Sequence, residues 1–354
     1  MAPGYTAAVI APACATRAWA ADPGMLPLTP ATIHTALRAA HQAGALNLPL
    51  PGGGKTLRRW QALAELAAAD LSLARLAEGH ADAVAILAEL AGPGGAAAEP
   101  TDMWGVWAAE PPGTQIQAVR GVSGWRLTGR KPWCSCARLI DRALITAHAE
   151  DGRRLFAVSV ADTIAVPGTW SAVGMAASGS LAVDLLDVPA AAVGGPRAYL
   201  DRPGFWHGGA GVAACWYGGA LGAARTLLGA ARRRDVGPHA LAHLGAVDAV
   251  VTGLAAWLQV AAVQIDDDPH DSTGQAELRA RRLRAGAEAG ATEVLDRVGR
   301  ALGAGPLCLD PVHAQRAADL TVYLRQSHAE RDLADLGALA ARDAVWGAAW
   351  DAGW

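Results

Sequence analysis

Phenylalanine and tyrosine are scarce in this sequence of 354 residues: 2 Phe and 4 Tyr stand against 13 Trp. Charge of one sign is missing too, since 30 Lys+Arg against 33 Asp+Glu leave a formal net charge of -3. That balance argues against nucleic-acid binding, which needs a basic excess or stripe. An odd count of 5 cysteines in so long a chain does not build a disulfide framework, and a reducing cytoplasm is the expected location. The N-terminus, MAPGYTAAVIAPACATRAW, is apolar but lacks the basic start of a signal peptide; its first positive charge is Arg17. No uninterrupted apolar run reaches membrane length. The longest, Ala249 to Val263, carries Thr252, Gly253 and Gln259 and reads as a buried helix, so the chain is expected to be soluble, without a membrane span.

What is present is small residues, with 41 Gly and an alanine-rich remainder that suits closely packed helices. At this length two or three domains are expected. Residues 30 to 94 repeat apolar positions at three and four residue spacing, as in WQALAELAAADLSLARLAEGHADAVAILAELA, between the clusters PLPGGGK and GPGG. From Thr101 to about Val193 the texture changes to strand-length runs, GWRLTGR, RALITAHA, LFAVSVA and LAVDLLDV, split by Gly, Pro and Asp. Helical texture then returns, with helices expected at about 208–234, 239–265, 274–302 and 311–342.

Several motifs resemble sites without completing them. Gly54-Lys55-Thr56 ends like a phosphate loop, but Pro49 stands where its first glycine belongs. Cys134-Ser135-Cys136 lacks a second cysteine pair, and His239 with His243 lacks a third ligand, so no metal site is expected. The run Asp266 to Asp271 reads as an interhelical loop. No G-x-S-x-G elbow is present, and GAGPLC at Gly303 lacks a dinucleotide fingerprint's third glycine.

The informative stretch runs from Trp104: an apolar strand ending in Glu110-Pro111, a hairpin through Ser123-Gly124, then Gly129-Arg130-Lys131-Pro132-Trp133 entering another strand. It resembles the acyl-CoA dehydrogenase family, whose middle domain carries a strand ending TEPGAGSD and a later G-x-K-x-W-[IV]-[ST]-N. GMAASGSLAVDLLDVPAAAVGG is similar to that family's closing strand. LGAARTLLGAARRRDVGPHALAHLGAVDAVV and RALGAGPLCLDPVHAQRAADLTVYLRQSHAERD are similar to its C-terminal helices. The likeness spans residues 30–340 in collinear order.

The resemblance implies an α+β multidomain protein: an N-terminal helical domain over 1–100, a middle β-barrel domain over 101–197 and a C-terminal four-helix bundle over 198–354. It implies FAD, held by the backbone of Ala108 and Ala109, stacked on Trp133 and hydrogen-bonded near its reactive edge by Ser135. Arg233 matches an arginine reaching the pyrophosphate of a partner subunit's FAD, and Gly303 and Ala304 match the turn near its adenosine, hence an expected homodimer or homotetramer. The implied activity is oxidation of the CH–CH group of an acyl thioester, on coenzyme A or an acyl carrier, with an electron-transfer protein or a reductase as partner.

The departures matter as much. Ala109 replaces the usual threonine, PGTQI replaces GAGSD, Leu244 follows His243 where glutamine is usual, and Val236 replaces an aromatic, so the flavin is expected to be held loosely or in another form. The usual catalytic glutamate stands eight residues after an aspartate matching Asp319, and that position is Ser327. The base is therefore missing, replaced by His328, or supplied by Glu330, one helical turn from Ser327. Two other functions stay open on the same fold: a monooxygenase using externally reduced flavin, and a catalytically silent partner subunit.

Overall fold

The computed structural model describes residues 26–90, 99 and 101–343. The N-terminal apolar segment and the GPGG cluster lie outside the described residues. Three helices come first: α1 (Ile33–Gln42), α2 (Thr56–Ala69) and α3 (Leu71–Leu90). Seven strands follow: β1 (Trp104–Trp107), β2 (Gln117–Gly121), β3 (Gly124–Cys134), β4 (Arg142–Ala149), β5 (Gly152–Ser159), β6 (Ile164–Val166) and β7 (Leu181–Val193). β5 pairs with both β7 and β4, closing the ring β4-β2-β3-β7-β5, while β1 runs parallel beside β4. The C-terminal helices are α4 (Ala198–Asp201), α5 (Pro203–Arg233), α6 (Gly237–Asp267), α7 (Ala276–Leu302), α8 (Gly305–Leu309), α9 (Pro311–Tyr323) and α10 (Glu330–Ala340).

Small residues set the packing. α5 lies among α2, α6, α7 and α9, and a Cβ on its Gly218 would stand 2.2 Å from the Ala64 carbonyl oxygen of α2. Gly174, in the turn before β7, fits as tightly, 2.0 Å from the Ala318 carbonyl oxygen of α9. The phosphate-loop look-alike has a structural use. The Gly54 and Thr56 amides and the Thr56 hydroxyl all donate to the Asp266 carboxylate, which caps the positive N-terminus of α2.

Two expectations are corrected. The helix expected over 311–342 breaks: α9 ends at Tyr323, a short 3-10 turn follows over Leu324–Gln326, and α10 restarts at Glu330. Between them the Ser327 hydroxyl takes the Ala329 amide and the Asp332 carboxylate takes the His328 amide, so side chains replace the carbonyls of a continuous helix. Ser327 and Glu330 therefore do not share a helix face. α6, expected to be buried, is covered on one side only. Val247, Leu254, Leu258, Ala262 and Ile265 are buried, while Leu241, Trp257, Val260 and Val263 are each more than half exposed. By length and composition α6 is, among the described residues, the one helix apolar enough to cross a membrane, and 28% of its most apolar window is buried in the fold.

Candidate functional site

Two neighbourhoods gather the residues singled out by sequence. The first is an end of the barrel. Trp107 is buried at the end of β1, and its indole N–H donates to the Ser135 carbonyl at 3.0 Å, tying the β1 exit to the β3 exit. Ala108 and Ala109 follow Trp107, and Ala109 is exposed. Trp133 sits in the left-handed backbone region (φ 57°) with 54% of its surface exposed, a large ring offered to solvent. The Ser135 hydroxyl accepts from Ser180 at 3.2 Å.

Beneath this end lies a charged cluster that sequence reasoning did not assemble. Lys131 is 1% exposed, and its ammonium donates to the Thr146 carbonyl (3.1 Å), the Thr146 hydroxyl (2.8 Å) and Glu110 (3.3 Å), which uses all three of its protons. Glu110 also accepts from Thr146 (2.5 Å) and meets His148 and Arg153, both at 3.2 Å. Burial lowers the Lys131 pKa to about 8. Burial works against Glu110 too, but the Thr146 hydrogen bond and the Lys131 and Arg153 charges hold it below the ordinary carboxylate range. Arg153 donates onward to the Ala108 carbonyl at 3.1 Å, so the cluster fixes the strand end.

The second neighbourhood is a cavity of about 450 Å³ among the helices, and Ser327 and His328 line it. His328 stands 3.4 Å from Asp332, which also takes its amide. Glu330, the first residue of α10, is exposed and is not part of the lining. Glu78 and Asp82 of α3, Arg202, and Arg281, Arg284 and Glu288 of α7 complete a charged wall beside Phe205 and Trp206. Most of these charges are paired: Glu78 with Arg75 (2.7 Å), Glu288 with Arg325 (2.8 Å), and Asp335 and Asp332 with Arg281 (3.2 and 3.8 Å). Burial raises the Glu78 pKa against the neighbouring Arg75 charge. One sequence signal was available: Arg75, Glu78 and Asp82 recur at three and four residue spacing inside an otherwise buried apolar helix.

A polar relay leads from the barrel end to α9. Ser180 donates to Ser135, Ser178 lies 2.8 Å from Ser180 and donates to the Met175 carbonyl, and the Met175 amide donates to Asp319 of α9. α9 is followed by the 3-10 turn over Leu324–Gln326 that precedes Ser327. Burial raises the Asp319 pKa to about 6 despite the Met175 and Gln315 hydrogen bonds.

Arg233 ends α5, Gly303 caps α7 (φ 65°) and Ala304 precedes α8; all three are exposed. Among the described residues none of them shares a hydrogen bond, ion pair or cavity with the barrel end. No group of three His, Cys, Asp or Glu among the described residues is arranged to hold a metal ion.

Neither a protein-family model nor a curated protein sequence matches the chain. Solved structures do. FMN-bound TdsC from Paenibacillus sp. A11-2, elsewhere described as a dibenzothiophene monooxygenase, is 18% identical with a TM-score of 0.77, over 91% of this chain and 95% of its own. A nitrososynthase from Micromonospora carbonacea var. africana is 19% identical with a TM-score of 0.73, over 94% and 99%. KijD3 in complex with dTDP is 20% identical with a TM-score of 0.73, over 93% and 97%. The chain has the acyl-CoA dehydrogenase fold. At these identities the likeness shows the architecture alone.

Proposed function

We propose that this chain is a flavin-dependent oxidoreductase, and that it works as a monooxygenase on flavin reduced elsewhere. The barrel end fits a flavin ring. Trp133 offers an exposed aromatic face, Ala109 an exposed strand end, and Ser135 a hydroxyl that accepts from Ser180 and keeps its own proton to donate. When bound, a flavin supplies two-electron redox chemistry. The chain's own part is to fix the strand end through Arg153, to present the Ser135 hydroxyl, and to enclose a substrate among the helices. FMN in TdsC and in a KijD3 complex supports a flavin on this fold and leaves FAD as one of two candidate forms.

The state of the cavity's carboxylates carries the choice of chemistry. Dehydrogenating an acyl thioester requires a base at the cavity wall and an apolar channel for the chain. Here Ser327 matches the usual base position in sequence, Glu78, Glu288, Asp332 and Asp335 are each engaged by an arginine, Asp82 has its Oδ1 occluded with Arg202 4.0 Å away, and charged side chains form the wall. A monooxygenase needs no α-proton base. Acyl-thioester oxidation keeps one foothold, His328 on the wall with Asp332 to orient it.

A reductase is the partner this reading requires, and the cytoplasm suits the buried free thiols of Cys134, Cys136 and Cys215. A second copy of the chain is the occupant proposed for the open face of α6, where Ala242, Gly245, Ala249 and Ala256 allow close helix approach beside Trp257 and Val260.

Two measurements test the function. Reduced flavin, supplied by a reductase, should be bound and should drive oxygen uptake that rises with a turned-over substrate. Oxidised flavoprotein that bleaches anaerobically with an acyl-CoA would instead establish the dehydrogenase, and no flavin binding in either redox state would leave the silent subunit.

A further inference from the structure

Arg284 differs from Arg202 and Arg281 on the cavity wall, which are ion-paired. Among the described residues its guanidinium bonds only to carbonyls, Gly209 at 3.1 Å and Gln326 at 3.5 Å, and it lies over the Trp216 ring at 4.7 Å. Asp332, Glu78 and Glu288 act on it, but none stands within ion-pair distance. A guanidinium taken out of water without a counter-ion is costly, and a ligand anion removes that cost. Asp82 shows the complementary deficit: its Oδ1 is buried with no hydrogen-bond partner, and Arg202 is 4.0 Å away.

Both groups flank one turn of α5. A Cβ on Gly208 would stand 2.7 Å from Asp82 Oδ1, and the next residue, Gly209, gives its carbonyl to Arg284. A Cβ on Gly209 would meet nothing within 4 Å, which places open space at that turn. Phe205 and Trp206, 5.1 Å apart in edge-to-face contact, stand one turn earlier on the same cavity lining.

We propose that the cavity binds a small aromatic zwitterion of the amino-acid kind: its carboxylate on Arg284, its ammonium on Asp82, its ring against Phe205 and Trp206. The forked guanidinium suits a planar carboxylate, the lone Asp82 oxygen suits an N–H donor, and Gly209 leaves room for the ligand. The assignment names the substrate class of the flavin-dependent reaction and rests on that reading for its role, although the binding itself needs no flavin.

The test uses the full-length protein without flavin, titrated calorimetrically with phenylalanine, 3-phenylpropionate, phenethylamine and 3-phenylpropanol. Phenylalanine should bind tightest, with each lost charge weakening binding about tenfold. Arg284→Gln should erase the advantage given by the carboxylate, Asp82→Asn that given by the ammonium, and Gly209→Leu should abolish binding of all four. Equal affinity for the neutral alcohol and phenylalanine overturns the proposal, as do equal losses for all four probes in Arg284→Gln and Asp82→Asn, unchanged binding in Gly209→Leu, or no binding of any probe. Flavin titration of the same proteins separates the two claims. Phenylalanine binding without flavin binding removes the oxidoreductase and keeps the ligand class; the reverse result removes only the ligand class.

Discussion

Two charged clusters, one at the barrel end and one in the helical cavity, are built from the same residue types and end in opposite states. Around Glu110, every proton of the Lys131 ammonium is used, and Thr146, His148 and Arg153 surround the carboxylate. In the cavity, Arg284 hydrogen-bonds only to carbonyls, and Asp82 Oδ1 has no hydrogen-bond partner, with Arg202 4.0 Å away. A network in which the ammonium and the carboxylate are both paired is rigid, and here it holds the Ala108 carbonyl in place. An unsatisfied one costs stability and retains binding capacity. The barrel-end cluster is thus suited to positioning and the cavity to recognition.

The largest expected effect comes from breaking the satisfied cluster. Glu110→Ala strands Lys131 inside the barrel and should lower stability by about 3 to 5 kcal/mol in denaturant unfolding. Next comes the relay. Because the folded pKa of Asp319 is raised to about 6, its contribution is fully present below about pH 4 and is lost as pH rises through 6. Unfolding free energies measured from pH 3 to 7 should show the wild type losing about 2 to 3 kcal/mol relative to Asp319→Asn. A flat difference would mean that the carboxylate is not held in that environment.

Glycine substitutions sharpen the contrast between closed and open sites. Gly218→Ala drives a methyl into the Ala64 carbonyl and should cost about 1 to 3 kcal/mol. Gly209→Ala faces open space on a helix and should gain up to about 1 kcal/mol in the same unfolding assay. Smallest in stability is Trp133→Ala, at the exposed edge of the satisfied region. It should change unfolding by no more than about 0.5 kcal/mol while weakening flavin binding about tenfold, as read by fluorescence titration.

The order of helices, strands and helices was legible because hydrophobic period changes at Thr101 and again after Val193, and period follows backbone geometry. The collinear motifs pointed to Trp133 and Ser135, which stand together at the barrel end, and to Ser327 and His328, which line the cavity. The break between Tyr323 and Glu330 was hidden because Leu324 to Ala329 carries neither glycine nor proline, and side-chain hydrogen bonds from Ser327 and Asp332 create it. α6 misled for a different reason: alanine, valine and leucine surround it, so no polar face marks the exposed side. Of the charged clusters only the α3 spacing of Arg75, Glu78 and Asp82 was legible. Lys131 and Glu110 lie 21 residues apart and Arg202 and Asp82 are brought together only by tertiary packing, so no local spacing records either contact.

On the proposed reading flavin is held at the barrel end for use by the cavity, and held loosely because Ala109 has no hydroxyl to offer. Anaerobic titration of the protein with oxidised and with reduced FMN and FAD tests it directly. Reduced flavin should bind at least about tenfold tighter than oxidised, with both weakened in Trp133→Ala. Tight binding of oxidised flavin that an acyl-CoA then bleaches, or no binding of either form, would contradict it.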